Sequence, residues 1–104
     1  MVSSKRYSKN PILSPNPENS WEAEAAFNGC PIKENGNIHL LYRAMSSLQK
    51  HEDKDMLLST IGIASGKDGI RFDKRRQFIK PEYDWEKFGC EDPRVTKLNG
   101  KFFI

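Results

Sequence analysis

A short pattern occurs twice in this chain, and it restricts the possible folds more than any other feature. Residues 33–38 (KENGNI) and 97–102 (KLNGKF) each place an Asn-Gly pair next to apolar residues, at an offset of 64. Asn-Gly is the strongest short signal for a β-hairpin, because both central positions of a type I′ turn need positive φ. The repetition predicts consecutive, similar β units, with two unrelated hairpins as the alternative.

The segment between the two turns contains apolar stretches typical of β-strands. Gly62, inside one of them, marks a bulge or a close approach of another group. Four short strands and a restart of the pattern describe one blade of a β-propeller and the beginning of the next. We predict strands at residues 24–33, 37–45, 56–65 and 70–79, a polar loop at 46–55, and the start of a further hairpin at 91–104.

The predicted fold is therefore all-β, a fragment that holds the first blade of a propeller and the start of the second. Residues 1–20, which are polar and rich in proline dipeptides, form an extended lead-in. Residues 21–80 form the first blade, and 81–104 form a loop and the start of the second. One blade cannot bury both faces of its sheet. We therefore expect the chain to be the N-terminal part of a longer propeller, or to be completed by a partner chain.

Composition excludes several classes of function. With 37% hydrophobic and 30% charged residues, the chain is globular rather than disordered. The net charge is only +3, and the one basic cluster, residues 74–76, lies in a predicted strand, where a solvated sheet face explains it. We expect no nucleic-acid partner and, without a long apolar run, no membrane span. Two cysteines and two histidines make a disulfide framework or a zinc site improbable and favour a cytoplasmic protein.

The block Gly89-Cys90-Glu91-Asp92-Pro93-Arg94-Val95 is the best candidate for a polar site. Pro93 disfavours the α region for Asp92, which predicts extended backbone at the start of a strand. In a regular strand the side chain of Arg94 faces the same side as that of Asp92. On spacing alone, an Asp-Pro turn with a local ion pair explains the block better than a functional site does.

Taken together, several blocks resemble glycoside hydrolase family 130, the β-mannoside phosphorylases and β-1,2-mannosidases, over nearly the whole chain. The resemblance implies a five-bladed β-propeller. Its most specific part is Glu91-Asp92-Pro93-Arg94. The remaining matching blocks are Asn10-Pro11-Ile12-Leu13, Trp21-Glu22, Phe27-Asn28-Gly29, Leu40-Leu41-Tyr42-Arg43-Ala44, Ile61-Gly62-Ile63-Ala64 and Asp68-Gly69.

The resemblance also implies roles for individual residues. Asp92 matches the general acid, whose pKa must be raised for that role, and the proton is thought to pass through a hydroxyl of the mannose. Arg43 matches an arginine that contacts the mannosyl unit, with a solvent-facing strand residue as the alternative. Asn28 would face the channel or form a turn, and Arg94 would bind sugar or orient Asp92. Glu91 is interpreted as structural.

The implied activity is inverting phosphorolysis of a β-mannoside to α-mannose 1-phosphate. Inorganic phosphate is the co-substrate, and no cofactor or metal is expected. The alternatives are hydrolysis by a β-1,2-mannosidase and a non-catalytic carbohydrate-binding propeller fragment. The remaining blades are required for a complete phosphate site, and a homo-oligomer is compatible with the sequence. Two loop aromatics, Tyr83 and Trp85, either stack on sugar or pack under the blades.

Overall fold

The computed structural model describes residues 2–104, so Met1 of the predicted lead-in lies outside the described range. These residues form strands, turns and two short 3-10 helices but no α-helix, which confirms the all-β prediction. The strands are β1 (Ala25–Glu34), β2 (Asn37–Met45), β3 (Gln49–His51), β4 (Lys54–Met56), β5 (Ser59–Gly66), β6 (Lys74–Ile79), β7 (Thr96–Leu98) and β8 (Lys101–Phe103), and the 3-10 helices are Ser20–Glu22 and Asp84–Glu86.

The main sheet has four antiparallel strands in the order β1-β2-β5-β6. The hairpin β3–β4 projects from the connection between β2 and β5, and β7–β8 forms a separate hairpin. One four-stranded meander followed by the first hairpin of another is the arrangement that the repeat predicted. The division of the chain at residues 20 and 80 stays a prediction.

Three details of the predicted elements are wrong. The loop predicted at 46–55 contains β3 and β4, whose polar strands turn at Glu52 and Asp53, both at positive φ (49° and 64°). The third main strand begins at Ser59 rather than at residue 56. The fourth begins at Lys74, because the Asp68 carboxylate accepts hydrogen bonds from the backbone N–H groups that follow it and prolongs the turn.

The 64-residue repeat extends to the backbone conformation. Three pairs of residues at this offset have nearly equal, positive φ, a conformation that non-glycine residues seldom adopt. The first pair lies before each Asn-Gly turn, and the other two form the turns. The pairs are Asn28 and Asp92 (52° and 46°), Asn35 and Asn99 (51° and 50°), and Gly36 and Gly100 (77° and 75°). The two segments are therefore equivalent parts of consecutive units.

A buried ion pair joins the 3-10 helix at residue 22 to the outer strand of the sheet. The side chain of Glu22 is fully buried, and its carboxylate accepts hydrogen bonds from Arg75 Nη1 (2.7 Å), the Tyr42 hydroxyl (3.0 Å) and Asn19 Nδ2 (2.7 Å). Arg75 also donates to the carbonyl of Ser14, which fixes the lead-in segment to the sheet. Burial and the neighbouring Glu22 raise the pKa of Tyr42. Arg75 is therefore not the solvated strand residue that the sequence predicted.

Gly62 lies at a bulge and is closely approached by other side chains, and the sequence predicted one or the other. The register between β5 and β6 shifts at Ile61/Gly62. A Cβ atom on Gly62 would lie 2.5 Å from Tyr42 Cζ and 2.8 Å from Trp21 Cζ3. The two rings, whose centroids are 6.4 Å apart, therefore occupy the space that any side chain at this position would need.

We expect Gly62→Ala to destabilise the protein by about 1–3 kcal/mol, since a methyl group in this packed site displaces ring atoms. Thermal unfolding followed by circular dichroism measures the change. Gly29→Ala is the matched control, because its added Cβ would meet only the flexible end of Leu40. Equal midpoints for Gly62→Ala and the unmodified protein would contradict the packing argument.

Candidate active site

The start of the second unit is fixed against the first by the backbone of Gly89 and Cys90. Gly89 forms an isolated parallel bridge with Ser59, and the Cys90 N–H donates to the Ser59 carbonyl at 2.8 Å. A Cβ atom at residue 89 would lie 2.7 Å from that carbonyl oxygen, and the φ of 120° is suited to glycine. This contact places the next two residues, Glu91 and Asp92, against side chains of the first unit.

Asn28 and Asp92, which are equivalent in the two units, are in direct contact. Asn28 Nδ2 donates a 2.8 Å hydrogen bond to Asp92 Oδ1. Asn28 lies where the register between β1 and β2 shifts, between Phe27 and Cys30, so its positive φ belongs to a bulge. The 64-residue repeat makes Asn28 and Asp92 equivalent positions of the two units, but their direct contact is seen only in the structure.

The extended conformation predicted for Asp92 is wrong, because its φ is 46° and the next strand begins only at Thr96. A following proline disfavours the right-handed helical region, but Asp tolerates the left-handed one. Arg94 was expected to face the same side as Asp92 if both lay in a regular strand. That condition is not met, because the strand begins only at Thr96. Arg94 Nη1 donates to the carbonyl of Pro93 at 2.8 Å.

Arg43 is the cation at the centre of the cluster between the two units. Its side chain is 19% exposed, and its guanidinium lies 5.0 Å from the ring centre of Phe27. Nε donates to Ser59 Oγ at 2.9 Å, Nη2 donates to Glu91 Oε1 at 2.8 Å, and Nη1 is 3.6 Å from Asp92 Oδ1. Arg43 is thus not the solvent-facing strand residue of the alternative interpretation, and it approaches the carboxylates of both Glu91 and Asp92.

The surroundings of Asp92 favour its ionised form. The hydrogen bond from Asn28 is the largest cause that lowers its pKa, followed by the charge of Arg43, its hydrogen bond, and the charge of Arg94. Partial burial of the carboxyl group is the second-largest cause and raises the pKa, but the hydrogen bonds and cations together outweigh it. The raised pKa expected for a general acid is therefore not found in these residues, because three donors and cations face the carboxylate.

Two members of this cluster were not predicted as site residues: Ser59 was missed, and Glu91 was interpreted as structural without its contact to Arg43. Nothing in the sequence marks Ser59, whose hydroxyl reaches Arg43 from a different strand. Glu91 carried a usable signal, because it lies 64 residues after Phe27, the partner of Arg43 in the β1–β2 register. Arg43 contacts Phe27 in one unit and its equivalent, Glu91, in the next.

A cleft in another part of the structure does not contain this cluster. It has a volume of about 510 Å³ and lies between Trp21, Thr60 and Tyr83, and none of the four predicted site residues lines it. Tyr83 and Trp85 stack on each other, with ring centres 4.5 Å apart and an interplanar angle of 5°. These aromatics neither join the carboxylate cluster nor pack under the sheet, since both side chains are largely exposed.

A four-stranded antiparallel blade followed by the first hairpin of another is the architecture of a β-propeller. The chain belongs to glycoside hydrolase family 130, because the family model, described as beta-1,4-mannooligosaccharide phosphorylase, matches residues 3–104. The resemblance seen in the sequence is thereby confirmed, and five blades are the propeller size that it implies.

Three known proteins are similar to this chain. Beta-1,2-mannobiose phosphorylase from Thermoanaerobacter sp. (strain X514) is 42% identical over 108 residues, covering 95% of this chain and 35% of the relative. The 1,2-beta-oligomannan phosphorylase of the same organism is 38% identical over 105 residues, covering 100% and 35%. The third is a solved structure from work on glycoside hydrolases of this family of mannoside phosphorylases, which target beta-1,2 mannosidic linkages in Candida mannan. Its sequence is 31% identical and its TM-score is 0.65, and the match covers 86% of this chain and 29% of the solved chain.

The chain spans about a third of the length of the curated relatives it matches. Among residues 2–104, no helix has the length and apolar character needed to cross a membrane.

Proposed function

We propose that the whole protein catalyses the inverting phosphorolysis of β-1,2-linked mannobiose or oligomannosides, giving α-mannose 1-phosphate. The observation that carries this proposal is the Asp92 carboxylate, held by Asn28 and close to Arg43 at the junction of two units. Identities of 42% and 38% to two β-1,2-mannoside phosphorylases support the choice of linkage and of phosphate as co-substrate.

The reaction breaks the glycosidic C1–O bond and forms a C1–O bond to phosphate on the opposite face of the ring. The leaving oxygen takes a proton that originates from Asp92 and passes through a hydroxyl of the mannose. Phosphate is already an anion at neutral pH, so the reaction needs one carboxylic acid and cations rather than two carboxyl groups. Inversion of the β-linked carbon gives the α-phosphate.

Protonation of Asp92 is the step that the contacts oppose in the free protein. A mannosyl ring placed over the half-exposed carboxylate would remove water from it, which favours the neutral form. A sugar hydroxyl that takes the place of the Asn28 amide would remove the largest cause of the lowered pKa. Asn28 and Arg43 would then bind the sugar, and Arg94, turned onto Pro93, would shape the loop and bind sugar through its remaining donors.

Hydrolysis is the second candidate, because the solved structure that is 31% identical belongs to hydrolases of the same family. A hydrolase needs a second carboxylate that activates water. Glu91 is the carboxylate next to Asp92, but its Oε1 is bound by Arg43 at 2.8 Å. An ion-paired carboxylate is a poor base, so Glu91 is a poor candidate for that second carboxylate.

Product analysis separates the candidates. The whole protein is incubated with β-1,2-mannobiose or β-1,4-mannobiose, each with and without phosphate. We expect mannose 1-phosphate and mannose from the β-1,2 substrate, only when phosphate is present. Free mannose alone, formed at the same rate without phosphate, would establish hydrolysis, and turnover of neither substrate would overturn the proposed function.

We further infer that the protein works in the cytoplasm, which is supported by the free thiols of Cys30 and Cys90. Further blades that supply cations for phosphate are the partners this proposal requires. Self-association remains compatible with it.

A further inference from the structure

We propose that Glu91 is a positioning residue for Arg43. Its carboxylate holds the guanidinium with Nη1 facing Asp92, and its negative charge offsets the positive charge of Arg43. This inference rests on the proposed function, because it assigns Glu91 a task in the use of Asp92 as an acid. Neither the motif nor the repeat identified this task from sequence.

The geometry of Arg43 leaves little freedom to its guanidinium. Ser59 Oγ binds Nε, Glu91 Oε1 binds Nη2, and the ring of Phe27 lies against the guanidinium. These contacts come from β5, from the loop after Gly89 and from β1, so they fix the group from three directions. Nη1 is the nitrogen directed at Asp92, at 3.6 Å from Oδ1, a distance at which a sugar hydroxyl can compete for either group.

The charges around the cluster explain why Glu91 matters for an acid. Arg43 from β2 and Arg94, which lies in the same loop as Asp92, both favour the ionised form of Asp92. Asn28 from β1 adds a neutral donor, and Ser59 from β5 is uncharged. Glu91 is the anion that pairs with Arg43 at 2.8 Å, so it withdraws part of the cation's attraction from Asp92. Without Glu91, Arg43 would act on Asp92 alone.

Three variants of the whole protein separate position from charge. Glu91→Gln keeps an oxygen for the hydrogen bond to Arg43 but removes the negative charge, whereas Glu91→Ala removes both. Glu34→Gln is the matched control, because the ion pair between Glu34 and Lys97 (3.2 Å) also joins β1 to the second unit but lies outside the cluster. Steady-state phosphorolysis is measured from acid to alkaline pH for each.

An acid must be protonated, so activity falls as the pH rises through the pKa of Asp92 in the complex. Loss of the Glu91 charge lowers that pKa, and we expect the alkaline limb of the kcat profile of Glu91→Gln to move to lower pH. We expect kcat of Glu91→Ala to fall about 10- to 100-fold, as for a misplaced group, with partial rescue in Glu91→Gln. An unmoved limb in Glu91→Gln, or equal losses in Glu34→Gln, would overturn the proposal.

A second measurement is independent of turnover. The carboxyl carbon of Asp92, assigned by its absence in Asp92→Asn, is titrated by NMR in the wild type, Glu91→Gln and Glu34→Gln. We expect a lower pKa of Asp92 only in Glu91→Gln, and an unchanged or higher value there would reject the role of Glu91. If this shift is found but no mannose 1-phosphate is formed, the proposed function fails, and only the effect of the Glu91 charge on the pKa of Asp92 stands.

Discussion

Replacing Asp92 by Asn in the whole protein is expected to lower kcat for phosphorolysis by about 10²–10⁴-fold, the usual contribution of a general acid. The backbone at this position has a φ of 46°, and its equivalent in the preceding unit is an asparagine at 52°. Asparagine therefore fits this conformation. The side-chain carbonyl of the introduced asparagine would still accept the hydrogen bond from Asn28. The variant loses the negative charge that faces Arg43 and the ability to carry a proton, but its neutral amide resembles the protonated acid of the substrate complex, so KM should change little.

The measurement is steady-state release of phosphorylated sugar, with mannoside binding followed by calorimetry. Asp73→Asn serves as the control, since it removes an exposed carboxyl group outside the cluster. A variant at residue 92 that retains more than a tenth of the wild-type kcat would show that the proton comes from another group. Loss of sugar binding together with activity would instead assign Asp92 to substrate binding.

Removal of Arg75 should give the largest loss of stability. Arg75→Met leaves the carboxylate of Glu22 fully buried without its cation, and breaking a buried pair in this way costs about 3–5 kcal/mol. The hydrogen bonds from Tyr42 and Asn19 remain, but neither group supplies a positive charge. Urea unfolding followed by tryptophan fluorescence measures the change, because Trp21 is next to Glu22.

Three further variants, Arg76→Met, Glu22→Gln and the double variant Glu22→Gln/Arg75→Met, test the cause of that loss. Arg76→Met is the neighbouring control: its side chain is exposed over the ring of Phe78, so the free energy of unfolding should change by about 0.5 kcal/mol or less. The double variant Glu22→Gln/Arg75→Met should be more stable than Arg75→Met alone, because it removes the unpaired charge. If the double variant loses the sum of both single effects, the ion pair is not the source of the stability.

The fold could be predicted from the sequence mainly because of its turns. Asn35-Gly36 and Asn99-Gly100 fix two hairpins by backbone chemistry that acts locally, so their positions were predicted correctly. The hairpin β3–β4 was missed because its strands are polar and therefore lack apolar alternation. The burial of Arg75 was missed because its partner, Glu22, is 53 residues away in sequence, and no local pattern encodes that distance.

The equivalence of Asn28 and Asp92 could be recognised from the repeat, but their contact could not. Asn28 and Asp92 meet because equivalent positions of consecutive units are adjacent in space. The backbone of Asp92 was predicted wrongly, because the rule for residues before proline describes the right-handed regions and not the left-handed one. The pairing of Arg43 with Glu91 was not predicted, because the 64-residue offset from Phe27 points to it only once the pairing of Phe27 with Arg43 is known.

The shared left-handed bend at Asn28 and Asp92 has an evolutionary consequence. Asn and Asp are the two non-glycine residues that adopt this bend most readily, and their codons differ only in the first base. A duplicated blade thus inherits a position at which one nucleotide change exchanges an amide for an acid while the main chain stays as it was. Such a bend allows proton-transfer chemistry to appear in, or disappear from, one blade without any cost to the folding of its neighbour.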